Sequence, residues 1–332
     1  MEPTIRPARL DDADAVESFT EDTWPDRGGD YVPRVFESWV RTDGEDARTL
    51  VAADADDRAV GLVRTVLLSP SEAWSAGMRV DPEYRGEGVA VRLAEAGFDW
   101  ARGRDATVAR CMVFSWNAAG LAVARAAGFE PATEFRWAHP EPAAEFWRRG
   151  ADAGDVHGGA DRADSLADAR VDDSDAVWEY WQDSEAFAHL GGLALDPDEP
   201  WALSSLSRER IEAAADEGRL LAVGAGDAGR VVPGVEVGGV RGFAVRVRVT
   251  DREVDDGPGE VERWVDYGVA DWATPAAAEA LFDVIARDAA VAGADRTRVL
   301  IPETVRAVSD AALARVEVAE SPDFVLAADL RR

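Results

Sequence analysis

The sequence has no lysine, only one cysteine and only three histidines among its 332 residues. Because Cys111 has no second cysteine to pair with, an intrachain disulfide is excluded. Cys111 lies in an apolar run, where a small buried core residue is favoured over a reactive thiol. The histidines, His139, His157 and His189, lack the spacing typical of metal ligands, so we predict no metal site.

Long apolar runs and a signal peptide are also missing. Residues 1–3 lead directly into a polar alternating segment, and no apolar run approaches the roughly 20 residues of a membrane-spanning helix. We therefore expect a cytoplasmic protein. A chain of 332 residues is long enough for two domains with separate cores.

Basic charge is scarce compared with acidic charge. Asp and Glu number 65, against 36 basic residues that are all arginine, and the formal net charge is -29. A surface this acidic repels nucleic acid and anionic membranes, so we expect neither as a partner. Lysine-free, aspartate-rich chains resemble proteins of salt-loving archaea, in which high ionic strength screens self-repulsion. A GC-rich genome would explain the arginines but not the excess of carboxylates.

The most informative segment is VDPEYRGEGVAVRL, residues 80–93. A predicted strand ends at Val80, a loop with Gly86 and Gly88 follows, and the pattern then predicts a helix over 89–102. A glycine loop at a helix N-terminus presents unpaired N–H groups and the positive end of the helix dipole to one point, which suits phosphate. From these residues alone, the alternative is that the glycines close a turn.

The loop has arginine, two further residues, glycine, one residue and alanine, at Arg85, Gly88 and Ala90. This spacing resembles the pyrophosphate-binding signature of the GCN5-related N-acetyltransferase (GNAT) family. The resemblance implies that acetyl-CoA docks here as a cosubstrate, with Arg85 adding a charge-assisted contact. The residues so implied in cofactor binding are Met78, Arg79, Val80, Arg85, Gly86, Glu87, Gly88, Val89, Ala90 and Asn117.

A second segment, NAAGLAVARAAGF at residues 117–129, is similar to the family's asparagine-initiated helix that ends in Gly-Phe. Asn117 is predicted to cap this helix, and Gly128 to end it. The chain departs from the family at Ala124, where a tyrosine often stands and is the usual candidate for protonating the CoA thiolate. The general acid therefore stays open.

Residues 72–80 alternate as a strand, which places Glu72, Trp74, Ala76, Met78 and Val80 on one face. In the resembled family the catalytic carboxylate often projects from this strand, so Glu72 is the candidate base. The alternative is that Glu72 is only a solvated residue at the start of the strand.

Candidates for the acceptor side and for the general acid are aromatic. Trp24, Tyr31 and Trp39 lie in or near the predicted helix pair that covers the acceptor pocket in the resembled fold. Core packing is favoured for Trp39. Tyr31, Tyr84 and water are the candidates for protonating the thiolate.

The start of the chain recurs later. ARLDDADAV at residues 8–16 returns as ARVDDSDAV at 169–177, identical at seven of nine positions. We interpret this as duplication: a catalytic domain at 1–140, a Gly/Asp-rich linker at 141–165 and a second copy at 166–332. The second copy has VADWATP at 269–275 in place of the loop, with Asp271 positioned to repel a diphosphate.

The predicted fold class is α/β with mixed sheets, as two tandem GNAT folds of which the second lacks the pyrophosphate loop. The favoured function is acetyl transfer from acetyl-CoA to a primary amine of a small molecule or peptide, by a monomer or homodimer. A non-catalytic acyl-CoA-binding or regulatory module is the alternative, favoured by the missing tyrosine. A dinucleotide-binding oxidoreductase is disfavoured, because no third glycine follows Gly86 and Gly88 where its fingerprint requires one.

Overall fold

The computed structural model describes residues 2–21, 23–24, 29–143, 173–225, 231–233, 239–253 and 261–331. Most of the predicted linker, His157 and the first four residues of the second repeat copy lie outside the described residues. The chain forms two compact units, residues 1–132 with 323–332 and residues 133–322.

The bounds of the elements follow the predicted order. The first are β1 (Thr4–Pro7), α1 (Ala13–Thr20), α2 (Val32–Thr42), β2 (Ala47–Ala53), β3 (Ala59–Ser69), β4 (Glu72–Val80), α3 (Val89–Arg102), β5 (Val108–Phe114), α4 (Ala118–Ala126) and β6 (Glu130–His139). The later helices and strands are α5 (Ser174–Asp183), α6 (Glu185–Leu190), β7 (Leu193–Leu195), β8 (Leu203–Ser205), α7 (Arg208–Asp216), β9 (Leu220–Ala225), β10 (Val231–Pro233), β11 (Val240–Glu253), β12 (Val261–Trp272), α8 (Pro275–Val291), β13 (Arg296–Pro302), α9 (Val305–Leu313), β14 (Glu317–Val318) and β15 (Asp323–Asp329). The predicted bounds of β4 and α3 are confirmed.

The described helices were also compared with the thickness of a lipid bilayer. None of them is both long enough and apolar enough to cross a membrane.

The first unit is built on a sheet with the strand order β1-β2-β3-β4-β5-β15. β4 and β5 are parallel, and the other neighbouring strands are antiparallel. Alternate residues of β2 and β3 face two helical layers. Leu50 and Val63 pack with Leu93 of α3, whereas Val51 and Leu62 pack in the core formed with α1 and α2. Burial on both faces explains why these strands are almost continuously apolar.

The second unit repeats this plan with the strand order β10-β9-β11-β12-β13-β6. β12 and β13 are parallel, and the other pairs are antiparallel. α8 packs on the sheet through Leu281 and Ile285, against Tyr267 and Val299. The predicted α/β class with mixed sheets is therefore found in both copies.

Each sheet is completed by a strand from the other half of the sequence. β15 pairs with β5 in the first unit, from Asp323 opposite Phe114 to Asp329 opposite Val108. β6 pairs with β13 in the second unit, where Ala138 lies opposite Val299. The compact units therefore differ from the predicted boundaries at 140 and 166, because local sequence pattern marks a strand but not the sheet that it joins. The predicted domain functions stay predictions.

Candidate active site

The carboxyl ends of β4 and β5 form an opening in the first unit. These parallel strands pair only where residues 72–74 meet residues 108–110. The opposite edge of β5 is occupied by β15. Among the described strands, none pairs with the β5-facing edge of β4 beyond Trp74, so its backbone groups are accessible to a ligand. Openings at the carboxyl ends of parallel strands are where α/β sheets bind small molecules.

A β-bulge lies in β4 near this opening. The register with β3 shifts by one residue between Ala76 and Arg79. Gly77 within the bulge has φ +68, and a Cβ there would lie 2.7 Å from the ring of Trp39. Glycine is therefore required both by the backbone conformation and by the close indole.

The bulge corrects the predicted face of β4. Met78 packs against the same core cluster as Ala73, although strict alternation would place them on opposite faces. Val80 packs with the neighbouring α3-side cluster. The prediction that Met78 and Val80 share a face with Glu72 and Trp74 is wrong, because one extra residue at the bulge inverts the alternation.

The predicted phosphate loop begins at Asp81, whose carboxylate accepts a hydrogen bond of 3.0 Å from the backbone N–H of Glu83. This contact starts a short 3-10 helix at Pro82–Tyr84. Arg85 is exposed, and its Nε donates to the carbonyl of Val80 at 3.1 Å. The loop is thereby tied to the end of β4, while most of the Arg85 guanidinium faces solvent.

Two glycines shape the N-terminus of α3. Gly86 and Gly88 have φ of +81 and +77, and a Cβ at either would meet no heavy atom within 4 Å. Gly88 gives α3 no side-chain cap, and the first bond of the helix runs from Arg92 N–H to the Gly88 carbonyl. The amides of residues 89–91 consequently have no acceptor within the helix. Together with the helix dipole and the open space, they suit an anion.

Asn117 caps α4 as predicted. Its Oδ1 accepts a bond of 2.9 Å from the N–H of Gly120. Gly128, with φ +90, follows the end of this helix. Ala124 is buried in the core beside Phe98 and Phe129, so the position at which the family often has tyrosine is apolar here. A role for Asn117 in cofactor binding stays a prediction.

Three aromatic rings lie together by the carboxyl end of β5. Phe114 and Trp116 stack with their centroids 5.1 Å apart, and Trp24 meets them edge-on at 6.0 and 5.5 Å. All three side chains are partly exposed. Sequence reasoning proposed Trp24 but missed Phe114 and Trp116. The signal for the missed pair is aromatic alternation just before the Asn117 motif.

Arg79 fastens the connection between α1 and α2 to the bulged strand. Its Nε and Nη2 donate to the carboxylate of Asp30 at 2.7 and 3.0 Å, and the Asp30 side chain is only 1% exposed. The guanidinium lies over Trp24 at 4.6 Å and over Tyr31 at 5.5 Å. The side chain of Arg79 therefore serves the aromatic side of the opening, and any contact of this residue with the cofactor falls to its backbone.

Glu72 lies at the other end of β4 from the phosphate loop. Its carboxylate accepts from Nη1 of Arg110 at 2.5 Å and from the hydroxyl of Ser69 at 3.2 Å. The side chain is 10% exposed. The strand between Glu72 and Val80 rises about 3.3 Å per residue. This position and the buried ion pair argue against Glu72 as the catalytic base.

The two candidate tyrosines differ in their surroundings. The Tyr84 hydroxyl donates to Asp54 at 3.3 Å, and desolvation together with the Asp54 charge raises its pKa. Tyr31 stands at the start of α2 with 38% of its surface exposed and meets Trp39 edge-on at 6.1 Å. Trp39 packs against the core that α1 and α2 form, as favoured.

The cysteine and the described histidines have structural surroundings. Burial raises the pKa of the Cys111 thiol to about 12, which confirms the predicted core role. A ring nitrogen of His139 lies 2.9 Å from the Thr297 carbonyl, and one of His189 lies 3.0 Å from the Glu134 carbonyl. Among the described residues, no group of three or more His, Cys, Asp or Glu is arranged to hold a metal.

The second unit has a different structure where the loop would stand. The hydroxyl of Thr274 accepts from Ala277 N–H at 3.2 Å and caps α8, and Pro275 at the first helical position has no N–H. Asp271 is 2% exposed and lies 3.4 Å from Arg306. Burial raises the pKa of Asp271, although Arg306 opposes this. A capped helix beside a carboxylate agrees with the predicted loss of the phosphate loop.

Comparison with curated proteins identifies relatives of the first unit. Residues 13–129 match the model of the acetyltransferase (GNAT) family. An aminoglycoside N(6')-acetyltransferase type 1 from Klebsiella aerogenes is 28% identical over 142 residues, which cover 40% of this chain and 93% of that protein.

Solved structures resemble the whole chain. A GCN5-related N-acetyltransferase from Sphaerobacter thermophilus has a TM-score of 0.53 at 16% identity, covering 99% of this chain and 96% of its own. An acetyltransferase structure from Thermoplasma acidophilum has a TM-score of 0.51 at 17% identity, with 98% and 99% covered. At such identities the likeness establishes the fold alone. Together with the match over residues 13–129, it shows that this chain belongs, through its N-terminal part, to the GNAT family of acetyltransferases.

Proposed function

We propose that this chain transfers an acetyl group from acetyl-CoA to a primary amine of a small molecule or peptide. The observation that carries the proposal is the N-terminus of α3, which follows a left-handed glycine, has no side-chain cap and stands directly after β4. Acetyl-CoA supplies an acetyl group already activated as a thioester.

The residues of the loop fit a diphosphate. The backbone amides of Gly86, Glu87, Gly88, Val89 and Ala90 would hold it, because the helix end concentrates donors and positive potential there. The exposed guanidinium of Arg85 would add a charge-assisted bond. The backbone of Met78, Arg79 and Val80, on the unpaired edge of β4, would hold the thioester end, and Asn117 would border the site.

The reaction needs mainly positioning and polarisation from the protein. The acceptor nitrogen bonds to the acetyl carbon, the carbon–sulfur bond breaks, and the nitrogen loses a proton while the sulfur gains one. Donors on the β4 edge would polarise the carbonyl. Since Glu72 is paired with Arg110 and the Tyr84 hydroxyl is bonded to Asp54, we propose Tyr31 as the proton donor to the thiolate.

The acceptor side favours an amine that carries an apolar or aromatic group. Trp24, Phe114 and Trp116 present partly exposed rings, while the Asp30 carboxylate is already neutralised by Arg79. The similarity to a protein named for aminoglycosides makes amino sugars the competing class. A panel containing arylalkylamines and aminoglycosides, compared by kcat/KM, separates the two.

A non-catalytic acyl-CoA-binding module is the second candidate. It is favoured by Ala124, which is 7% exposed in an apolar core and supplies no hydroxyl. Thiol release measured over the amine panel distinguishes the two functions. Tight CoA binding without turnover of any amine would support the module.

Gly88→Leu tests the loop itself. A side chain at φ +77 strains the backbone and fills the open space, so we expect CoA affinity to fall at least about 10-fold by calorimetry. Gly44→Leu is the matched control, because a Cβ there also meets nothing within 4 Å and the φ is not left-handed. Equal CoA affinity in both variants, with circular dichroism showing both folded, would overturn the proposal.

A further inference from the structure

One face of the sheet in the second unit carries three arginines that converge on a single carboxylate oxygen. Arg298 Nη2, Arg252 Nη2 and Arg248 Nε lie 2.7, 3.5 and 3.6 Å from Oδ2 of Asp266. The strand register causes this, since Asp266 of β12 stands opposite Arg248 of β11 and Arg298 of β13. We call Arg248, Arg252 and Arg298 the arginine triad.

The triad and a neighbouring threonine retain buried donors without acceptors. Arg298, 4% exposed, uses Nε and Nη2 on Asp266 at 3.1 and 2.7 Å, but its buried Nη1 makes no hydrogen bond. Arg248 donates through Nη2 to the Asp196 carbonyl, whereas its buried Nε makes no hydrogen bond. The hydroxyl of Thr250, between Arg248 and Arg252 on β11, is also buried without a bond. Unpaired buried donors are costly, and a bound ion or water is the usual explanation.

Positive charge exceeds negative charge at this place. Asp266 is the one carboxylate within 4 Å of the triad in the part of the chain that the structure describes. Asp196 and Glu199 act on Arg248 from farther away, and the Asp196 oxygens already accept from two backbone N–H groups and the Ser204 hydroxyl. Burial, and then Arg298, lower the pKa of Arg252. A chain with a net charge of -29 thus gathers unmatched positive charge here.

Indole rings hold the guanidinium groups in place. Arg298 lies over Trp201 at 4.1 Å and over Trp137 at 4.6 Å, and Arg252 lies over Trp264 at 4.7 Å. Stacking of this kind fixes the plane of a guanidinium and leaves its edge for hydrogen bonds. The Arg252 side chain is 35% exposed, so the triad can be reached from solvent on that side.

We propose that the second unit binds a small phosphate-type oxyanion between the arginine triad and Thr250. A tetrahedral oxyanion offers several acceptors within a few ångströms, as converging guanidinium and hydroxyl donors require. Either inorganic phosphate or the phosphate group of a small organic monoester has this chemistry. The copy that lacks the phosphate loop would thus have an anion site of its own, made from strand residues.

Calorimetry and thermal melting of the full-length protein test the proposal. Inorganic phosphate and a sugar monophosphate are titrated separately at constant KCl, and the stronger binder identifies the source of the phosphate group. We expect wild type to bind and to melt at a higher temperature. Arg252→Gln should weaken binding about 10-fold or more, because a charge-assisted bond is lost. Arg263→Gln is the matched control, since Arg263 is exposed on β12 and pairs with Asp251.

The loop of the first unit must be separated from the triad. Gly88→Leu should keep the phosphate response, whereas Arg252→Gln should lose it. If Arg252→Gln unfolds, Arg252→Lys replaces it, with an intermediate loss expected because lysine keeps the charge but not the planar fork. Absence of phosphate binding by wild type, or equal binding by Arg252→Gln and Arg263→Gln, would overturn the proposal. The triad would then serve only to anchor the loop at Asp196 and Trp201.

Discussion

Glu72 shows how a residue of suitable chemistry can have a structural role. It follows a turn at the start of β4, where sequence alone allows either a base or a solvated carboxylate. The structure instead places it in a buried pair with Arg110, 38 residues away.

We expect Glu72→Gln to lower the free energy of unfolding by about 1–3 kcal/mol, because a charge-assisted bond to Arg110 is weakened in a buried place. The kcat for acetyl transfer should stay within about 2-fold, since the residue lies far from the loop. Urea denaturation and steady-state kinetics measure the two quantities. Glu37→Gln, which alters an exposed pair with Arg41, is the control. A large loss of kcat at unchanged stability would restore Glu72 as the base.

Other residues of the candidate site differ in how far they could be predicted. Gly86, Gly88 and Asn117 belong to short motifs whose conformations depend on immediate neighbours, so their left-handed or capping geometry was foreseeable. The pair of Arg79 and Asp30 was not, because the two residues are 49 positions apart and meet only when the sheet forms.

Among the helices, α8 offers a pH-dependent effect. Burial raises the pKa of Asp283 from the ordinary 3.8 to about 6, with Arg287 opposing and Glu279 adding to the rise. Between these values the folded state binds more protons than the unfolded state, so the free energy of unfolding falls as pH rises through that window.

We expect Asp283→Asn to remove this decline and to raise stability at neutral pH by about 1 kcal/mol or less, since the side chain is partly exposed. Chemical denaturation of both proteins from pH 4 to 7 (roughly the window between the two pKa values) measures it. Parallel curves for the two proteins would contradict the assignment.

Among the strands, β15 makes the first unit dependent on the last residues of the chain. Leu326 is 3% exposed and packs in one cluster with Phe98 and Phe129. β15 also pairs along β5, at whose end Phe114 stands.

We expect Leu326→Ala to lower the free energy of unfolding of the first unit by about 2–4 kcal/mol through the cavity that it leaves. Hydrogen exchange resolved by peptide should show lost protection in α3 and β5. Leu313→Ala, at a residue 70% exposed on α9, is the matched control and should change stability by less than about 0.5 kcal/mol. Loss of protection confined to β11 and β12 would contradict the assignment of β15 to the first unit.

The whole molecule carries a net charge of -29, and its self-repulsion opposes the compact state. At 1 M salt the screening length falls to about 3 Å, so we expect the melting temperature to rise from dilute buffer to molar KCl. NaCl at the same ionic strength should act alike in this range, because screening does not depend on the cation. A melting temperature that stays constant or falls would remove the proposed salt adaptation. The cytoplasmic location and the monomeric or dimeric state stay predictions.

Patterns among neighbouring residues were sufficient for the loop at Gly88, the cap at Asn117, the duplication and the α/β class, because caps, turns and periodicity depend on contacts within a few positions. The exchange of β6 and β15, the bulge at Gly77 and the convergence of the arginine triad on Asp266 required the folded chain. These features join residues far apart in sequence, and packing rather than local preference selects such partners.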